Sequence, residues 1–274
     1  MPISRFQSDV LNLLAAGRSP ESDVTVGIPI NRDGPRFSAD IDIFHDDIAQ
    51  VAAAANRDIT CLEAAGLMVE VIRELPGIIS AKITGPDGTT KLEWAADNDI
   101  RFFPALPDPE FGFVLHPADL AVNKVMAAAG RREPRDIVDL LTIHERYLRL
   151  GAVALAGVVV APGFTPESLL AEVRRNARYP AADIERLPAI EPIDAASVML
   201  RLRMALDEAM DLVQSIPSEK VGRLFLVDGM PVEPEPATLG DYVEHEPRRR
   251  GHWPSSSEIG SAMLERYARA TDKP

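Results

Sequence analysis

The chain has 274 residues and a formal net charge of −13, and 46% of its residues are hydrophobic. This composition supplies apolar side chains for one large or two modest cores, and the negative charge argues against a surface that coats nucleic acid broadly. A single cysteine excludes a disulfide framework or a cysteine metal cage within one chain. No apolar run reaches the roughly 20 residues of a membrane-spanning helix, and the N-terminus does not resemble a signal peptide. We therefore expect a cytoplasmic protein without a membrane partner.

The first half of the chain predicts alternating helices and short strands. In chain order we expect a helix, a β-branched run, an acidic strand, a second helix and three more strands, at residues 4–16, 23–30, 37–44, 47–66, 67–73, 78–84 and 89–95. The last two strands flank Gly85-Pro86-Asp87-Gly88, which is a hairpin signal. The order indicates an α/β (α+β) fold with a small mixed sheet and helices packed against it.

The second half predicts mostly helices. Helical spacing and helix-start residues indicate helices at 117–130, 134–150, 166–179, 193–215 and 258–270. One strand signal, at residues 221–227, interrupts them. The pattern predicts a sheet-containing domain at 1–150 and a mostly helical C-terminal domain at 151–274.

The acidic strand carries the main chemical signal. Ile41 and Ile43 alternate with Asp40 and Asp42, and this period of two predicts one apolar face and one acidic face. Adjacent carboxylates repel each other, and a hard divalent cation such as Mg²⁺ removes that conflict. The alternative is a solvated edge strand with no metal.

A third carboxylate on a neighbouring strand would complete a two-metal site. Glu93 is the best candidate, because Leu92 and Trp94 on either side of it are expected to face the core. Asp97 and Asp99 are weaker candidates, since both fall beyond the predicted end of the strand.

Two groups of motifs resemble a known family. The order Val26-Gly27 followed by residues 36–44 looks like the nucleotidyltransferase superfamily signature, in which a Gly-Gly or Gly-Ser turn precedes Asp/Glu-x-Asp/Glu. The stretch 119–124, with Arg131 and then residues 135–141, is similar to the AbiEii/AbiGii-type toxin branch, which has a helical lysine before an Arg/Lys-Asp-x-x-Asp-Leu segment.

The resemblance implies a minimal nucleotidyltransferase fold with an NTP donor and Mg²⁺. It would make Asp40, Asp42 and Glu93 the metal ligands and catalytic carboxylates. Lys124 would contact the nucleotide phosphates, and Asp136 would orient Lys124 or a substrate group. Asp139 has a structural interpretation, an ion pair with Arg135 on its own helix.

The nucleotide-binding residues implied by the resemblance are Gly27, Arg36, Ser38 and Lys124. Arg36 has a second interpretation, in which it neutralises the acidic strand in the absence of metal. The chain departs from the family at Ile28, where a small residue normally lets the backbone approach the triphosphate. This departure favours the alternative of a degenerate protein that binds a nucleotide or a partner without turnover. A plain interaction module is a further alternative.

The expected partners follow from the family context and from charge. An RNA acceptor such as tRNA would have to bind a local basic patch, because the chain as a whole is acidic. The candidate patches are the arginines at 131, 132 and 135 and the run Arg248–Arg250, followed by Trp253. A solvated loop is the alternative for this run. A toxin of this branch would also have an antitoxin protein as partner.

Overall fold

A computed structural model describes residues 3–17, 24–25, 34–45, 47–97 and 100–249. The described residues pack into two units. Unit 1 is formed within Met1–Asp33, Phe37–Asp99 and Pro104–His116, and unit 2 within Gly34–Arg36, Ile100–Phe103 and Pro117–Pro274. Within the described residues, every helix is too short or too polar to cross a membrane.

The helices are α1 (Arg5–Ala15), α2 (Ile48–Ala64), α3 (Pro117–Gly130), α4 (Pro134–Arg146), α5 (Leu150–Gly157), α6 (Pro166–Asn176), α7 (Ala181–Glu185) and α8 (Ala195–Ser215). The strands are β1 (Val24–Thr25), β2 (Asp40–His45), β3 (Met68–Leu75), β4 (Ile78–Gly85), β5 (Gly88–Ala96), β6 (Ile100–Arg101), β7 (Leu106–Asp108), β8 (Gly112–Val114), β9 (Leu224–Val227), β10 (Met230–Val232), β11 (Val243–His245) and β12 (Arg248–Arg249). Short 3-10 helices lie at Val158–Val160, Ser218–Lys220 and Pro236–Asp241.

Unit 1 is built on a mixed sheet with the strand order β3-β4-β5-β2-β1-β8-β7. The pairs β2–β5 and β1–β8 are parallel, and the remaining neighbours are antiparallel. Helices α1 and α2 pack against β5, and α2 also packs against β2 and β4. The buried side chains beneath them include Ile41, Ile43, Leu92 and Trp94. The predicted α/β fold with a mixed sheet and flanking helices is confirmed.

The helices of unit 1 begin at residues with local capping side chains. Ser4 and Gln7 form a capping box at the start of α1, and the Asp47 side chain accepts a hydrogen bond from the Ala49 backbone N–H at the start of α2. Such caps satisfy backbone donors that the helix itself leaves unpaired. They fix where each helix starts against the sheet.

Unit 2 packs around α5, in which every residue is buried. All eight residues of this helix are apolar or glycine, so it can be covered on all sides. Helices α3, α4, α6 and α8 and strand β9 pack against it. The apolar helix α5 is therefore the centre of a helical core.

The packing boundary between the units differs from the boundary near residue 150 expected from the sequence. Helices α3 and α4 precede residue 150, yet they pack with α5, α6 and α8, because their apolar faces are buried there. Unit 2 also contains a three-stranded sheet, β10-β9-β11, of which the sequence predicted one strand. The helix predicted at 258–270 lies outside the described residues.

We expect the hydrogen bond between Asp58 and Trp94 to stabilise the junction between α2 and β5. The buried Trp94 Nε1–H donates to Asp58 Oδ2 at 2.7 Å. Replacing Asp58 with alanine leaves the indole N–H without its acceptor, which should lower the free energy of unfolding by about 1–3 kcal/mol. Urea denaturation measures this loss. Asp58→Asn keeps an acceptor oxygen and should lose clearly less; equal losses for both variants would contradict the hydrogen-bond explanation.

Candidate active site

The two faces of β2 differ as the sequence predicted. Ile41 and Ile43 are completely buried, whereas Asp40 and Asp42 are half-buried on the opposite face. The two isoleucines pack under the helices, so they fix the direction in which the carboxylates point. The strand thus holds two acidic side chains next to each other.

The neighbouring strand β5 contributes two more charged residues to this face. It runs parallel to β2, with Lys91 as the register partner of Asp40 and Glu93 as the partner of Asp42. Register partners on adjacent strands have side chains on the same face, with strands about 4.8 Å apart. Glu93 therefore lies on a strand next to Asp42 and on the same face, as expected. We call Asp40, Asp42, Lys91 and Glu93 the charged face.

Glu93 is bound to a lysine in this structure. Lys91 Nζ lies 2.6 Å from Glu93 Oε2. Among the described residues, there is no group of three or more His, Cys, Asp and Glu side chains that could hold a metal ion. The expected convergence of three acids is thus not formed, because the Lys91 ammonium holds the third carboxylate. Lys91 was missed at the sequence level, although its spacing of two from Glu93 places both side chains on one face.

The remaining pair, Asp40 and Asp42, fits a single Mg²⁺. This cation is usually bound by one or two carboxylates, with waters and substrate phosphates filling the other positions. The donor set of two adjacent carboxylates on an ordered strand matches that chemistry. Asp97 lies just past β5, where its backbone N–H donates to the His45 carbonyl at 2.9 Å. Asp99 is outside the described residues.

Ser38 supports the entry of the chain into β2. Its Oγ donates a hydrogen bond to the Asp40 carbonyl at 2.7 Å. The buried Gln7 side chain donates to the Ser38 carbonyl at 3.2 Å and to Thr90 Oγ1 at 3.1 Å. These bonds tie α1, the start of β2 and β5 together. In this structure Ser38 therefore positions Asp40, and its predicted contact with a nucleotide stays a prediction.

A separate charged cluster lies in unit 2. Arg36 donates from Nε and Nη2 to the two Asp139 carboxylate oxygens, both at 2.6 Å. Lys124 Nζ lies 2.8 Å from Asp139 Oδ2. Arg36 and Asp139 are buried, while Lys124 remains 18% exposed. We call these three residues the Asp139 cluster.

The charges of the Asp139 cluster set the ionisation of its carboxyl group. Burial acts to raise the pKa of Asp139, but the positive charges of Lys124 and Arg36, together with their hydrogen bonds, lower that pKa below its ordinary value. The carboxyl group therefore stays ionised, and a bidentate arginine contact of this kind is rigid. Arg36 was predicted to contact a nucleotide phosphate. In this structure its Nε and Nη2 donors are both bound to Asp139.

The partner of Lys124 differs from the one expected. Asp136 is buried and accepts hydrogen bonds from Arg131 Nε at 2.7 Å and Arg131 Nη2 at 3.0 Å. Its position in the first turn of α4 is also favourable for the helix dipole. Asp139, one turn later, takes Lys124. The sequence had suggested an ion pair of Asp139 with Arg135, and the family resemblance had implied that Asp136 orients Lys124 or a substrate group. Spacing along a helix does not reveal which residue contacts the neighbouring helix.

Several predicted residues lie outside the described part of the chain. These are Gly27 and Ile28 of the expected phosphate turn, Arg250 at the end of the basic run, and Trp253. The first two arginines of that run form β12, which pairs with β6 in unit 2. The predictions for the phosphate turn and for RNA stacking remain predictions.

No protein-family profile matches the sequence, and no curated protein is similar to it. Among solved structures, the chain is similar to MenT4, a nucleotidyltransferase toxin from Mycobacterium tuberculosis. That match has 16% identity and a TM-score of 0.47, and it covers 78% of this chain and 83% of that chain. The RNA terminal uridylyl transferase Cid1 matches with 14% identity and a TM-score of 0.30, over 73% of this chain and 64% of Cid1. A structure of Cid1 bound to MgATP gives 16% identity and a TM-score of 0.30, over 72% of this chain and 65% of that chain.

Removing the Asp139 carboxylate should destabilise the protein in a pH-dependent way. Asp139→Asn leaves two cations without their buried counter-charge, so we expect a loss of about 3–5 kcal/mol at pH 7. The folded pKa of Asp139 lies below its ordinary value of 3.8, so its contribution is complete above about pH 4 and is lost as the pH falls through the folded pKa. The stability difference between wild type and variant should therefore stay constant from about pH 7 to 5 and shrink below about pH 4.

Urea denaturation across this pH range measures that difference. Asp207→Asn is the matched control, because Asp207 forms an exposed ion pair with Arg174 and should change the stability by less than about 1 kcal/mol. A difference that grows towards low pH would contradict the assignment.

Proposed function

We propose that this protein is a Mg²⁺-dependent nucleotidyltransferase that moves a nucleotidyl group from an NTP to a hydroxyl or phosphate acceptor. The observation that carries the proposal is the β2–β5 register, in which Asp40, Asp42 and Glu93 belong to one face of adjacent strands. Two adjacent carboxylates on a strand with a buried opposite face favour a divalent cation between them.

Each residue of the charged face would have a separate role in the reaction. Asp40 and Asp42 bind the cation, and Ser38 keeps the start of the strand in place. When bound, Mg²⁺ neutralises charge on the transferred phosphate and makes the attacking oxygen easier to deprotonate. Glu93 would bind or activate the acceptor after leaving Lys91, and Lys91 would hold Glu93 in place until then. This pairing offsets one of the three negative charges of the face before substrate arrives.

The role of orienting Lys124, which the resemblance implied for Asp136, passes to Asp139 in this proposal. The support is the ion pair between Lys124 and Asp139, which uses one of the three ammonium donors. The partial exposure of Lys124 leaves that ammonium accessible to an anion. A phosphate of the NTP is the anion that we propose, because a compact ammonium is a suitable point charge for phosphate.

The cellular role that we propose is that of a toxin in a toxin–antitoxin or abortive-infection system of the AbiEii type. An RNA such as tRNA would be the acceptor. This part of the proposal comes from the motif resemblance at residues 119–141, and the acidic net charge of −13 requires any RNA to bind a local basic patch.

The competing function is nucleotide binding without turnover. The salt bridge of Glu93 with Lys91 and the unusual Ile28 in the expected phosphate turn favour this alternative. In that case the protein binds NTP in the presence of Mg²⁺, and no acceptor becomes labelled.

Incubation of the protein with each labelled NTP, Mg²⁺ and bulk tRNA tests the proposal. We expect label transfer for at least one NTP and a loss of at least about 100-fold in Asp42→Asn, because metal-ligand environments are sensitive to such changes. Glu63→Gln is the matched control, since Glu63 is exposed on α2, which packs against the other face of the sheet. Calorimetry separates the two functions: Mg²⁺-dependent NTP binding without transfer identifies the binding module, and absence of such binding contradicts both.

Removing the Lys91 charge should strengthen cation binding at the charged face. Lys91→Met retains most of the side-chain length and removes a positive charge from the register partner of Asp40. We expect Mg²⁺ affinity in the presence of NTP to rise roughly fivefold to tenfold, as measured by calorimetry. Lys82→Met is the control, because Lys82 is the partner of Lys91 on β4, one strand farther from β2. An equal or larger effect in Lys82→Met would contradict a cation site at Asp40 and Asp42.

A further inference from the structure

Strand β3 forms an exposed edge of the unit 1 sheet. Among the described residues its strand neighbour is β4 alone. Four large apolar side chains on β3 are between 47% and 64% exposed, and these are Met68, Val71, Ile72 and Leu75. An edge strand presents backbone donors and acceptors that can pair with another strand. A long apolar edge of this kind is therefore a candidate interaction surface.

A β-bulge changes which side chains of β3 share a face. Glu70 pairs with Lys82 and Arg73 pairs with Ser80 on β4, and the register shifts between Val71 and Arg73. Although Glu70 and Arg73 are three residues apart, their partners are two residues apart. They consequently lie on the same face of the sheet, where a regular strand would place them on opposite faces.

The bulge gives β3 a sequence that complements itself. Residues at equal distances before and after the centre of Val71-Ile72 form matching positions. Glu70 matches Arg73, Val69 matches Glu74, and Met68 matches Leu75. A second copy of β3, antiparallel and related by a two-fold axis through the bulge, would place Glu70 of each copy opposite Arg73 of the other copy, and Glu74 opposite Val69. The same operation places Met68 opposite Leu75. A two-fold interface requires self-complementarity of this type.

We propose that two copies of this chain pair through β3 and continue the sheet from one protomer into its partner. Glu70 and Arg73 are exposed, and neither forms an ion pair within the described structure. Both charges are thus available for opposite-charge cross-strand pairs, each of which favours this register. A single strand from each protomer makes a small interface, so the dimer is reversible.

Sedimentation of the full chain over a concentration series tests the dimer. The wild type should convert from monomer to dimer between about 1 and 200 µM. Glu70→Arg and Arg73→Glu, tested singly, each place like charges opposite one another twice and should raise the dimer Kd at least about tenfold. An equal mixture of the two variants should restore dimerisation, because the mixed dimer contains two opposite-charge pairs. The double variant Glu70→Arg/Arg73→Glu should also dimerise like the wild type.

The controls separate the interface from folding and from net charge. Circular dichroism verifies that each variant keeps its fold, which is expected because both side chains are exposed. Arg203→Glu changes the net charge by the same amount as Arg73→Glu at an exposed position on α8 and should dimerise like the wild type. The proposal is overturned by a wild type that stays monomeric throughout, by single variants that associate normally, or by a mixture that fails to recover.

Discussion

The structure depends on a strand that buries one face and carries two acids on the other. Two adjacent carboxylates on one face of a strand repel each other. Burial of Ile41 and Ile43 contributes about 3–6 kcal/mol in the opposite direction. The hydrophobic core therefore fixes Asp40 and Asp42 side by side on one face of β2, as the proposed cation site requires.

The position of β2 in the sheet decides what surrounds this pair. Its parallel neighbour β5 places a lysine and a glutamate beside the two aspartates, and the lysine binds the glutamate. The charged face thus contains three acids and one base, with Lys91 beside Asp40 and Glu93 beside Asp42. This lysine offsets one of the three negative charges, and in the proposed mechanism it must release Glu93 before that carboxylate can act.

Features that depend on local periodicity could be predicted from the sequence. Features that depend on how helices and strands pack against each other could not. Alternation predicted both faces of β2 and the core positions of Leu92 and Trp94, since side chains alternate along any strand. The pairing of Lys124 with Asp139 was not predictable, because Asp136 and Asp139 lie one turn apart on α4 and the packing of α3 against α4 selects between them. The bulge in β3 depends on pairing with β4, and no residue in its sequence marks it. Helices α3 and α4 precede the predicted boundary near residue 150 and yet pack against α5, which lies after it, because contacts between helices depend on matching apolar faces and not on order in the chain.

A crystal structure with Mn²⁺ and a non-hydrolysable NTP would test the proposed cation site most directly, since anomalous scattering locates Mn²⁺ independently of the protein. We expect a Mn²⁺ ion about 2.1 Å from carboxylate oxygens of both Asp40 and Asp42, with phosphate oxygens completing its coordination. Mn²⁺ bound away from these two residues, or no bound ion at saturating nucleotide, would contradict a catalytic role for the charged face.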